Sequence, residues 1–139
     1  MKILGIDPGT TRTGYGLIEK EDRLSYLEKE VQKLVRTHKP DLVCLEKLFF
    51  SKNKKTASSV SEARGVILLV LRKNGLELME FGPSEVKSAI AGNGNASKRD
   101  VLRAVAWTLG VKDIPGPDDV SDALAIALRG AFDISLKRA

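Results

Sequence analysis

Two short apolar runs, "ILGID" ending on Asp7 and "LVCLE" ending on Glu46, set the terms for this chain. Runs of four to six apolar residues have the length of buried strands. A carboxylate cannot stay in such an interior, so each acid must emerge at a sheet edge. After Asp7 come Pro8 and Gly9 at once. Pro presets one turn dihedral and Gly accepts the next, so a turn explains both. It explains Asp7 only in part, since Asn or Ser would serve equally. From this stretch alone, turn residue and catalytic carboxylate stand level.

The rest of the pattern reads as alternating elements. "TGYGLIEKE" and "RLSYLEK" predict a second and a third strand, a hairpin turning at "EDR". A short helix is expected over 29–38, ending before Pro40. "DLVCLEKLF" gives a fourth strand and "SKNKKTASS" a basic loop. Residues 57–73 predict a helix stopped by Asn74-Gly75, and "LELMEF" a fifth strand. Helices capped by Ser84 and Ser97 follow, with "GNGN" between them, then a last helix near "DDVSDALAIALRGAF". This order predicts an α/β fold: a mixed five-stranded sheet with helices on both faces. At 139 residues one domain is expected. The net charge of +5 favours an anionic partner, most simply nucleic acid. The single cysteine, Cys44, excludes an internal disulfide or a cysteine-rich zinc site and reads as core. No leader or membrane-length segment is read, so a cytoplasmic location is expected.

The chemistry gathers in the acids. Open α/β sheets place sites at the carboxyl ends of strands, where Asp7 and Glu46 fall. The last helix adds Asp118, Asp119 and Asp122 in its first turns. One Asp is an ordinary cap; three exceed that need. Converging carboxylates repel, and a divalent cation relieves the repulsion. All-oxygen donors suit Mg²⁺ or Mn²⁺, and two such ions can drive phosphodiester hydrolysis.

"ILGIDPGTTRTGYGLI", "CLEKLFFSKNKKTASSVSEARG", "VKSAIAGNGNASKRDV" and "PDDVSDALAIAL" together resemble the RuvC family of bacterial Holliday junction resolvases, in order and over nearly the whole chain. The resemblance implies an RNase H-like fold and a homodimer. It also implies Mg²⁺-dependent, paired nicking of four-way DNA junctions in recombination and repair, with the RuvA–RuvB branch-migration complex as partner. The family's catalytic, metal-holding carboxylates carry over to Asp7, Glu46, Asp119 and Asp122, with Asp118 a rival register for Asp119. Lys87 and Lys98 match basic residues near the active site. Phe49 matches a residue that stacks on a base at the opened junction, and Arg12, Lys52, Lys54 and Lys55 become DNA contacts. The chain is shorter than typical members by on the order of twenty residues between the third strand and the first helix, on the spacing of these motifs.

Several residues have a plainer reading beside this one. Gly14 and Gly16 mark either a strand bulge or a close approach of DNA. The lysines of the basic loop can be mere solvated surface. His38 reads as surface, Trp107 as core, and Arg64 as structural. "GVILLVL" is apolar nearly all round, which calls for a second cover besides the sheet, implied to be another subunit. "GIDPGTT" also resembles the first phosphate loop of sugar kinases and actin-type ATPases, but the chain has no room for their second domain. A binding protein without catalysis, or a relative acting on RNA, completes the alternatives.

Overall fold

The computed structural model describes the backbone of residues 2–8, 13–19, 22–47 and 54–138, and side chains within 22–47 and 57–137. It divides into two compact units, Met1–Lys39 with Ser51–Gly75, and Pro40–Phe50 with Leu76–Ala139.

The first unit holds β1 (Lys2–Pro8), β2 (Thr13–Glu19), α1 (Arg23–His38) and α2 (Lys54–Lys73). β1 and β2 are antiparallel in unbroken register, from Lys2 opposite Glu19 to Pro8 opposite Thr13. Asp7 faces Gly14 and Gly5 faces Gly16 across this ladder, so neither Gly14 nor Gly16 marks a bulge. The strand also runs one residue past Asp7, through Pro8.

The expected third strand is instead the start of α1. Leu24, Leu27, Val31 and Val35 are the half-buried apolar positions, spaced three and four apart as one face of a helix. Tyr26, which gave "RLSYLEK" its apparent alternation, is exposed. α1 therefore spans 16 residues rather than the expected ten. It ends where Lys39 turns into the left-handed region at φ 45°, ahead of Pro40. α2 begins at Lys54, so Lys54 and Lys55 belong to a helix and not to the basic loop. No Gly or Pro between Lys54 and Arg64 interrupts it. Arg23 donates to the Ser59 carbonyl at 3.4 Å, and Gln32 and Asn74 exchange amide hydrogen bonds at 3.1 and 3.0 Å. These contacts advance together along α1 and α2, so the two helices run in the same sense.

The second unit holds β3 (Leu42–Glu46), β4 (Glu77–Phe81), α3 (Pro83–Ala91), α4 (Lys98–Leu109) and α5 (Asp118–Arg138). β3 and β4 are parallel, with Glu46 opposite Phe81. Among the described residues the strands thus form one antiparallel and one parallel pair, four strands in all. The mixed α/β class holds, and the third strand of the expected five is helical. Phe81, Val86, Ala96, Val101, Val105 and Ala125 form the core of this unit. Val101 and Val105 lie one turn apart on α4. Trp107, expected in the core, sits about 200° around the helix from Val105 and is 87% exposed. No helix among the described residues is long and apolar enough to cross a membrane.

Two local devices set the helix starts. Ser97 caps α4: its hydroxyl accepts from the Asp100 N–H at 3.2 Å, and Asp100 accepts in return from the Ser97 N–H at 3.2 Å. α3 starts differently. Pro83 takes its first position and the Glu85 carboxylate accepts from the Gly82 N–H, so Gly82, not Ser84, is the cap. Gly130 of α5 lies against Cys44 of β3, where an added methyl would overlap the Cys44 sulfur. Burial here, and then the negative charge of Asp133, pushes the Cys44 thiol pKa up.

Candidate active site

A cleft of about 250 Å³ opens at the carboxyl end of β3, lined by Glu46, Lys87, Lys98 and Asp122 above an apolar floor that includes Val86, Val101 and Ala125. Each polar group comes from a different element. Glu46 is the last residue of β3, where the strand leaves the core. Lys87 follows the buried Val86 on α3. Lys98 opens α4 directly after the Ser97 cap. Asp122 stands one residue past the buried Ser121 on α5, whose hydroxyl donates to the Asp118 carbonyl at 2.8 Å.

The charges are balanced locally. Lys98 Nζ lies 3.8 Å from Asp118 Oδ2 and 3.9 Å from Asp122 Oδ2, bridging the two acids across a turn of α5. Lys98 and Asp118 are largely exposed and Asp122 is half-exposed, so this bridge screens repulsion more than it stabilises the fold. Below Glu46, the Lys47 N–H donates to the Phe81 carbonyl at 2.8 Å. Its ammonium reaches the Glu85 carboxylate at 3.5 Å. Glu85 titrates below the ordinary glutamate range, first through the Gly82 N–H and then through the charge of Lys47. The end of β3 is thereby tied to the start of α3. Behind it, the Arg129 guanidinium lies 4.9 Å from the Phe81 ring centre and pairs with Asp133.

Of the residues expected in the site, Glu46, Asp122, Lys87 and Lys98 meet at this cleft. Asp119 does not line it and has no hydrogen-bond or ion-pair partner among the described residues. Asp118 is the acid that shares Lys98 with Asp122. Asp7 lies near the end of β1, and Lys54 and Lys55 in the first turn of α2, with their side chains outside the described residues. Arg12, Phe49 and Lys52 fall outside the described residues altogether. No group of three His, Cys, Asp or Glu side chains converges among the described residues. The Lys47–Glu85 tie was missed in the sequence. Its signal was there in "GPSE", a Pro at the first helical position with Glu two later.

The family model of RuvC, crossover junction endodeoxyribonuclease RuvC, matches residues 19–129. A protein of that name from Caldicellulosiruptor saccharolyticus is 41% identical over 150 residues, covering 92% of this chain and 90% of its own. One from Moorella thermoacetica is 44% identical over 149 residues, covering 92% and 89%. Both alignments are longer than the 139 residues of this chain, so these relatives carry residues that it lacks. The solved structure of Thermus thermophilus RuvC superposes with a TM-score of 0.75 at 30% identity, over 99% of this chain and 97% of that one. The structure of T. thermophilus RuvC in complex with Holliday junction substrate gives 0.76 at the same identity, over 99% and 96%. By sequence and by backbone alike, the chain belongs to the RuvC family of crossover junction endodeoxyribonucleases.

Proposed function

We propose that this chain resolves four-way DNA junctions by hydrolysing phosphodiesters at the cleft of Glu46 and Asp122. The observation that carries the site assignment is the meeting of two carboxylates and two lysines from four elements around one opening. Four-way junction DNA is the substrate that the junction-bound relative points to. The lysines suit the anion: Lys87 and Lys98 are placed to hold phosphate oxygens and to offset charge that builds as water adds to phosphorus and the P–O bond to the leaving sugar oxygen breaks.

The donor chemistry fits a hard divalent cation, since Glu46, Asp122 and the neighbouring Asp118 and Asp119 offer only oxygen. We assign Glu46 and Asp122 to hold it, with Asp119 or Asp118 beside them, and Asp7 by its place in the family motif. Bound there, Mg²⁺ or Mn²⁺ supplies charge neutralisation and eases the ionisation of water. Lys98 then passes from bridging Asp118 and Asp122 to holding phosphate. Arg12, Phe49, Lys52, Lys54 and Lys55 are the proposed DNA contacts, with Phe49 stacking on an unpaired base.

A homodimer through α2 would supply the two symmetric nicks. In support, Leu69 of α2 is 51% exposed as a large apolar side chain. We read residues 1–139 as one RNase H-like nuclease domain that works in the cytoplasm with a RuvA–RuvB complex. The test is cleavage of a synthetic four-way junction with and without Mg²⁺, beside linear duplex and RNA–DNA hybrid. Junction-selective, Mg²⁺-dependent nicking is expected. Cleavage in excess chelator, or equal cleavage of the hybrid, would overturn the reading.

A further inference from the structure

Neither Lys47 nor Glu85 lines the cleft, yet each is close in the chain to a residue that does. Lys47 directly follows Glu46, and Glu85 comes two residues before Lys87. Their ammonium and carboxylate meet at 3.5 Å. The pair lies on the back of both elements. Successive residues of an extended chain point to opposite sides, so Lys47 leaves the end of β3 away from Glu46. Glu85 and Lys87 are about 200° apart around α3, with the buried Val86 between them. Glu85 accordingly borders a different, shallow hollow, beside Ser84, Ser88 and Arg129.

Glu46 is the last residue of β3, and the ends of elements are where a backbone opens most readily. Two bonds just past it oppose that opening. The Lys47 N–H donates to the Phe81 carbonyl at 2.8 Å, and the Lys47 side chain then reaches Glu85. Glu85 is itself anchored. Its carboxylate accepts from the N–H of Gly82, a buried residue whose donor has to be partnered. The anchor is thus fixed to the turn that leads from β4 into α3. We propose that the Lys47–Glu85 pair positions the cleft from behind, holding Glu46 and Lys87 at one separation and so setting how tightly the acids hold a divalent cation. Lys47 and Glu85 are positioning residues that act through Glu46. The proposal rests on the reading of the cleft given above. A half-exposed pair adds little to fold stability. Cation affinity is more sensitive, because it follows the placement of the ligating oxygens.

The sign of the effect separates positioning from charge. Near an acidic cation site, removing a positive charge tightens cation binding and removing a negative charge loosens it. Positioning predicts loosening from both. Mn²⁺ binding to the full chain is measured by electron paramagnetic resonance, without DNA, at neutral pH and well below Tm. Glu46→Gln should weaken it at least tenfold, which locates the site. Lys47→Met and Glu85→Gln should each weaken it about threefold, the scale of one half-exposed pair. Glutamine keeps an acceptor for the Gly82 N–H, so Glu85→Gln removes the charge and leaves the cap. The double variant should bind no more weakly than either single, and Lys47→Arg should bind as the wild type does. Junction affinity in Ca²⁺ and its salt slope should not change. Tighter Mn²⁺ binding by Lys47→Met, or a fall in Tm with Mn²⁺ affinity unmoved, would reduce the pair to a local charge or to a fold contact and overturn the proposal. A flatter salt slope in Lys47→Met would make Lys47 a phosphate contact and equally overturn it. A wild-type protein that binds no Mn²⁺, or binding that survives Glu46→Gln, would instead refute the assignment of the cleft.

Discussion

Gly130→Ala asks whether α5 touches β3 as closely as the structure has it. An alanine in the middle of a helix ordinarily stabilises by about 1 kcal/mol over glycine. At Gly130 the new methyl would overlap the Cys44 sulfur, with Leu42 Cδ2 at 3.6 Å and Cys44 Cβ at 3.8 Å closing the other sides. Forcing a methyl into such a site costs about 1–3 kcal/mol, and an overlap with a strand residue belongs at the upper end. The net effect is a loss of about 2 kcal/mol, or roughly 8 °C in Tm at about 4 °C per kcal/mol for a chain of this size. Gly65 of α2 is the control, since nothing lies within 4 Å of its added methyl. Gly65→Ala should raise Tm by about 4 °C. Cys44→Ala removes the overlapping atom, so in the Gly130→Ala background it should restore most of the loss. Thermal and urea unfolding of the four species in the double-mutant cycle give the coupling directly. A Gly130→Ala protein as stable as its Gly65→Ala counterpart, or one that Cys44→Ala fails to rescue, would refute the close packing.

Replacing Asp7, Glu46 or Asp122 with its amide should cut junction nicking by a hundredfold or more in single-turnover assays while junction binding persists. Asp118→Asn and Asp119→Asn, compared in the same assay, decide which acid partners Asp122. Neutralising Lys52, Lys54 and Lys55 together should reduce the salt slope of junction binding by about 0.9 for each phosphate these lysines neutralise, read by fluorescence anisotropy. Leu69→Asp should yield a monomer by equilibrium sedimentation and abolish paired nicks while single nicks continue. Glu85, whose pKa is held down chiefly by the Gly82 N–H, contributes stability above its unfolded pKa that is lost as pH falls through its lower folded value. Glu85→Gln should therefore shrink the fall in Tm on the acid side of pH 4.5, checked by circular dichroism from pH 3 to pH 7, a range set from the usual glutamate titration.

The acids were legible because a carboxylate closing an apolar run has few other reasons to be there. Glu46 and Asp122 do face one cleft, with Lys87 and Lys98 between them. Where helix and strand periods coincide over a few residues, the reading failed. "RLSYLEK" alternates only from Leu24 to Tyr26, and Leu27, Val31 and Val35 carry the helical spacing. Trp107 failed for another reason. Composition treats tryptophan as core, whereas its angle from Val105 on α4 puts it outside. The Asp118–Lys98–Asp122 bridge could not be read from one helix, because Lys98 arrives on another.

α5 does two jobs along one rod, and the rod has a phase. Asp122, Ala125 and Arg129 sit at spacings of three and four, so the cleft acid, the core methyl and the cation over Phe81 share one side of the helix. Gly130 then seats the rod on β3, the strand that ends in Glu46. One residue inserted or removed between Asp122 and Arg129 would swing Asp122 by about 100° and slide it by about 1.5 Å relative to that seat. The length of this segment is therefore a gauge for the separation of Glu46 and Asp122. Whatever residues the relatives carry beyond this chain, they cannot fall between Asp122 and Gly130 without putting the two carboxylates out of step.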